Sequence, residues 1–112
     1  MRGPENIDKL KLIRLAKKTK KRLWRRVAEI LSAPRRRQVK VNIGKINKYA
    51  KPGDTIIIPG KVLGKGELTK KLTVVAFEYS ASAIKKLESS GCSTHRLIEY
   101  LDKDVRNAKL MV

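Results

Sequence analysis

PGDTIIIPGKVLGKGELTKKLTVVAFEYSASAIKKLESSG, residues 52 to 91, is the stretch in which turn chemistry, strand signals and a capped helix follow one another without a break. Thr55 to Ile58 is a short β-branched run without charge, which predicts a strand covered on both faces, as inside an α/β layer. Pro59-Gly60 then predicts a stop, because proline presets φ for the second position of a type II turn and glycine tolerates the third. A second strand is expected from Lys61 to Leu63. Gly64-Lys65-Gly66 holds a lysine between two residues without Cβ, so the backbone can approach an anionic surface while the lysine projects; a plain hairpin turn is the alternative. Leu72 to Phe77 is the third and strongest strand. Ser80 offers an N-cap for a helix through Leu87, and Gly91 suits the position after its end.

Toward the N-terminus, Asn6 is expected to cap a helix from Ile7 to about Lys18, with Lys17 and Lys18 at its negative end. Its apolar residues spread around the wheel, which fits either a helix held between two surfaces or one packed on a neighbour. The second helix, about Lys20 to Ala33, separates cleanly: Leu23, Trp24, Val27, Ile30 and Leu31 share one arc, and Arg22, Arg25, Arg26 and Glu29 the opposite one. That arc places Trp24 in a core and not against a base. Pro34 ends the helix, and Arg35-Arg36-Arg37 follows on an extended linker suited to gripping phosphates. Val39 to Ile43 alternates like a strand, Ile43 to Tyr49 reads as a short helix, and Lys51 to Asp54 as a turn. Beyond Gly91, Ser93 or Thr94 is expected to cap a last helix carrying Leu97, Ile98 and Leu101, before a closing strand over Lys109 to Val112.

The 112 residues suit a single structural domain, divided into a basic helical extension with an Arg-rich linker (1–40) and an α/β core (41–112). Lys and Arg number 28 against 10 acidic residues, a net charge of +18. Residues 1–40 carry 15 basic and 3 acidic side chains, residues 41–72 carry 7 and 2, and residues 73–112 carry 6 and 5. A polyanion is therefore expected against the first two-thirds of the chain, and nucleic acid rather than membrane, since no strongly apolar face accompanies most of the charge. One cysteine, no apolar leader after Met1 and no apolar run near the length of a membrane span predict a protein of a reducing compartment.

Chemical motifs are wanting. The glycines Gly60 and Gly64 are too close for a phosphate loop, and Gly66 stands where a magnesium-binding hydroxyl would be needed. Cys92 and His95 lack two further ligands for zinc and read as turn and surface residues. Neither a catalytic constellation, a metal, a cofactor nor a small-molecule substrate is expected.

VNIGKI at Val41 to Ile46, IPGKVLGKGELTKK at Ile58 to Lys71, VVAFEYS at Val74 to Ser80 and the Glu99-Tyr100 pair resemble the archaeal and eukaryotic large-subunit ribosomal protein eighteen-e family, related to bacterial large-subunit protein fifteen. Cys92 departs from the family, whose members often have a second glycine there. The resemblance implies an α/β fold, an irregular three-turn β-β-α superhelix core behind an N-terminal helical extension. It also implies a non-enzymatic structural constituent of the large ribosomal subunit, cytoplasmic and ribosome-bound, whose partners are large-subunit ribosomal RNA and neighbouring ribosomal proteins. The expected RNA contacts are Lys17, Lys18, Lys20, Lys21, Arg22, Arg25, Arg26, Arg35, Arg36, Arg37, Lys40, Lys61 and Lys65. Two other classes compete. A DNA- or chromatin-associated protein would place helix two in a groove, but that face lacks Asn, Gln or Ser for base readout; an RNA-modifying enzyme would need catalytic groups.

Overall fold

The computed structural model describes residues 4–19, 21–34, 37–101 and 108–112, residues 4–8 by their backbone alone. The chain divides into two compact units, Met1–Gln38 and Val39–Val112.

In the first unit, α1 (Pro4–Lys18) and α2 (Arg22–Leu31) pack on each other. Helix α1 begins at Pro4, whose missing N–H costs nothing in a first turn, so Asn6 lies inside the helix and does not cap it as expected. Leu12 and Ala16, one turn apart, are buried, while Leu10 is 64% exposed. Helix α2 buries Trp24, Val27, Ala28 and Leu31 at helical spacing, and Trp24 is wholly enclosed, as its arc implied. The helix stops three residues before Pro34. Ser32 ends it by donating from both N (3.0 Å) and Oγ (2.7 Å) to the Ala28 carbonyl.

The second unit is α/β, as its alternating signals implied. Strands β1 (Val39–Asn42), β2 (Thr55–Leu63), β3 (Thr73–Tyr79) and β4 (Ser93–Arg96) lie side by side, all parallel. Strand β5 (Ala108–Leu110) joins β2 along Thr55–Ile57, while β1 pairs with Gly60–Leu63, so two short strands complete one flank of a long one. Helices α3 (Ile43–Tyr49) and α4 (Ala81–Ser89) follow β1 and β3, and α5 (Leu97–Tyr100) follows β4. Ile56, Ile58, Val62, Val74 and Ala76 build one core with Ile43 and Ile46 of α3 and Ala83 and Leu87 of α4. Ile57 and Val75, on the other side of the sheet, are equally buried.

Three expectations are corrected here. Pro59-Gly60 does not turn the chain: β2 runs through both residues as one strand. The ladder to β3 shifts register between Ile58 and Lys61, which accommodates a proline without N–H. Gly60 pairs with Val39, and a Cβ there would fall 2.1 Å from the Val39 carbonyl oxygen, so close approach and not positive φ selects this glycine.

Gly64-Lys65-Gly66 is no hairpin either, because the strands it separates are parallel. From Leu63 the chain must return to the level of Thr55, about 26 Å at ~3.3 Å per strand residue, before Thr73 can pair there. Ten Cα steps reach at most about 36 Å, fewer than parallel crossovers usually take, so no helix fits. Residues 64–72 consequently form a nearly extended strap whose carbonyls bond to neighbours. Gly44 N donates to Lys65 O (3.0 Å), Ser90 Oγ to Leu68 O (2.8 Å), Cys92 Sγ to Lys70 O (3.3 Å) and Gly53 N to Lys71 O (2.8 Å).

The third correction concerns the stretch after Gly91. Helix α4 ends as its sequence predicts: Ser80 Oγ accepts from Ala83 N, Gly91 adopts φ 77°, and Cys92 N and Gly91 N donate to the carbonyls of Leu87 and Glu88 in a Schellman closure. Ser93 and Thr94 then form β4 instead of a cap, and α5 is started by Glu99, whose Oε1 accepts from Arg96 N at 2.8 Å.

Candidate nucleic-acid interface

Burying one stripe of α2 forces its other face outward, and Arg22, Arg25 and Arg26 are all exposed there. Arg26 Nη1 lies 3.0 Å from Glu29 Oε2, a surface pair of small energetic weight, and Arg25 Nε donates to Thr19 O at 3.4 Å. Lys17 and Lys18 are exposed in the last turn of α1, next to exposed Lys21. Arg37 is exposed, but its N donates to Pro34 O at 2.8 Å, so the chain turns where an extended linker was expected. Lys20, Arg35 and Arg36 lie outside the described residues.

In the second unit the ladder sets exposed Lys40 beside half-buried Lys61, whose other neighbour is Glu78. Two adjacent ammonium groups on neighbouring strands repel unless an anion lies over them. Lys65 is exposed on the strap, and Gly64 and Gly66 have a packing duty that the sequence does not announce. A Cβ on Gly64 would meet Ser82 Oγ at 2.1 Å; Gly66, at φ 100°, lies so close to Gly44 that a Cβ would be 2.6 Å from its Cα.

Helix α3 supplies basic residues missing from the expected set. Ile43, Ile46 and Ala50 face the core, which turns Lys45, Lys48 and Tyr49 outward at i, i+3 and i+4. Other lysines are spent internally. Lys70 Nζ donates to Asn47 O (2.6 Å) and Ala50 O (2.7 Å) at the end of α3, and Lys86 Nζ to Gly64 O (2.6 Å) and Gly66 O (2.7 Å). The carboxylate of Asp54 accepts from Lys51 N (2.8 Å) and Lys109 Nζ (3.0 Å), and these bonds hold its pKa below the ordinary aspartate value.

Cys92 and His95 are not the surface turn residues expected. Cys92 is half-buried, its Sγ placed between Leu72 N (3.4 Å) and Lys70 O (3.3 Å). His95 sits in β4 with its ring 4.9 Å from that of Tyr100. Tyr79 Oη lies 3.0 Å from Val74 O and 2.5 Å from His95 O; burial pushes this phenol far above its usual pKa, and it serves as a fixed donor. Among the described residues no group of three or more His, Cys, Asp or Glu could hold a metal ion, and no helix is long and apolar enough to cross a membrane.

A parallel α/β unit with exposed lysines, following a helix pair with an arginine face, is the pattern of a basic ribosomal protein class. Residues 6–95 match the family model that groups ribosomal proteins 50S-L15 and 50S-L18e with a counterpart from the 60S particle, and the chain belongs to this family. Among its relatives, large ribosomal subunit protein eL18 of Sulfurisphaera tokodaii is 50% identical over 111 residues, covering 97% of this chain and 94% of its own. The eL18 protein of Sulfolobus acidocaldarius is 51% identical over 104 residues, with 90% and 88% covered. That of Nanoarchaeum equitans is 43% identical over 113 residues, with 98% and 96% covered.

Proposed function

We propose that the chain is a structural constituent of the large ribosomal subunit, ribosome-bound in the cytoplasm, that binds and bridges large-subunit ribosomal RNA. The observation that carries this reading is α2. Its apolar stripe is completely enclosed, so Arg22, Arg25 and Arg26 are held outward as a rigid row of guanidinium forks suited to phosphate oxygens. No Asn, Gln or Ser interrupts that row to read bases, which favours backbone contact. Residues 1–40 act as the basic extension, with Lys17, Lys18, Lys20, Lys21 and Arg35 to Arg37 beside the row. Lys40, Lys61 and Lys65 add contacts from the core domain, 41–112. The near-neutral last forty residues are free to meet neighbouring ribosomal proteins.

Sedimentation of the endogenous protein tests the reading. Co-migration with large subunits, lost when Arg22, Arg25 and Arg26 are replaced together by Gln in a protein that still folds, is the expected result. Material that sediments free or with chromatin overturns it.

A further inference from the structure

We infer that the outer side of α3 is a base-stacking platform, on which Tyr49 receives an unpaired base of RNA while Lys48 and Lys51 meet its phosphates. This rests on the RNA-binding reading above and goes beyond it by assigning a residue and the conformation of the RNA bound there.

The chain has only five aromatic side chains, and four are covered: Trp24 is buried, and Phe77, Tyr79 and Tyr100 are half-buried. Tyr49 is 58% exposed. It is held outward because Ile43, Ile46 and Ala50 of the same segment occupy the core. Its ring is thus presented from a short rigid helix, and a planar apolar face kept in water is a ready partner for another ring.

The charges around it favour an anion. Lys48 Nζ lies 5.4 Å from the centroid of the Tyr49 ring, and Lys51 is exposed just beyond the helix. A helix C-terminus ordinarily repels phosphate, yet here the carbonyls of Asn47 and Ala50 already accept from Lys70 Nζ. The acid of the following turn is compensated as well, since Asp54 accepts from Lys51 N and Lys109 Nζ. What remains outward is a ring and two ammonium groups. A duplex hides the faces of its bases, so the occupant is a nucleotide in a loop, bulge or single strand.

The test uses the full chain with two probes at matched ionic strength, a single-stranded RNA decamer and an RNA duplex of the same length. Tyr49→Ala is expected to weaken single-strand binding about 5- to 100-fold, the range of one base–aromatic stack, with duplex binding and thermal unfolding unchanged. Tyr49→Phe keeps the ring and should stay within about twofold of wild type, whereas Tyr49→Leu should behave like Ala. Leu binding as well as Tyr, or Ala losing less than about twofold on the single strand, overturns the platform while leaving RNA binding intact. A wild-type protein that binds neither probe overturns the RNA-binding reading itself, and the platform with it.

Discussion

Lys86 of α4 donates from Nζ to the carbonyl oxygen of Gly66 at 2.7 Å, and the same ammonium reaches Gly64 O at 2.6 Å. A lysine that looks like surface charge is therefore a clamp on the strap between β2 and β3. Lys86→Met keeps the stem and removes the donor. We expect a loss of about 1 kcal/mol in denaturant unfolding, with the salt dependence of RNA binding by the folded protein unaltered.

The glycines of the strap should respond to close approach and not only to a ligand. Gly66→Val combines strained positive φ with a clash against Gly44 and should destabilise by about 2 kcal/mol or more. Lys65→Ala should leave stability unchanged and remove one charge contact. If Gly66→Val lowers the melting temperature but keeps affinity for large-subunit RNA, the strap serves the fold alone.

Trp24, the single tryptophan, reports on the first unit without touching the ligand. Its enclosure predicts blue-shifted emission, resistance to iodide, and no quenching when RNA is added. Trp24→Ala should cost about 3–5 kcal/mol through the cavity it leaves. Strong quenching by RNA in the folded protein would place the ring at the interface instead.

Phosphate contact predicts that affinity falls steeply with salt, with a log–log slope of roughly −4 or steeper if about six single-stranded phosphates are neutralised. Replacing Arg22, Arg25 and Arg26 by Gln should flatten that slope by about two units. An unchanged slope would remove α2 from the interface.

Acid should expose the role of Asp54. Its folded pKa is depressed below 3.8, so its contribution is present above that value and disappears as pH falls through the folded pKa. The stability gap between wild type and Asp54→Asn should be constant near neutrality and close progressively below about pH 4. Unfolding curves collected across that range decide it.

Residues whose fate depends on neighbours in sequence were legible. The spacing of Ile43 and Ile46 announces α3, Ser80 and Gly91 bracket α4, and the apolar arc of α2 encloses Trp24. Pro59-Gly60 misleads because local turn chemistry yields to the approach of Val39, contributed by a strand about twenty residues earlier. Strand β4 carries Ser-Thr-His-Arg with no buried member, so only pairing with β3 defines it. In the candidate interface, composition locates the excess charge but does not tell an outward lysine such as Lys48 from Lys70 or Lys86, whose protons go to backbone carbonyls. Tyr49 could have been noticed from its place at i+4 from Lys45.

The order in which β2 acquires its neighbours matters during synthesis. Strand β1 precedes it and guards Gly60–Leu63, but Thr55–Ile57 wait for Ala108–Leu110, more than fifty residues later. Until that segment leaves the exit tunnel, the most apolar strand of a nascent chain presents an open row of amides and carbonyls that another chain could extend. Removal of residues 108–112 should therefore make the chain aggregation-prone and not merely shorter.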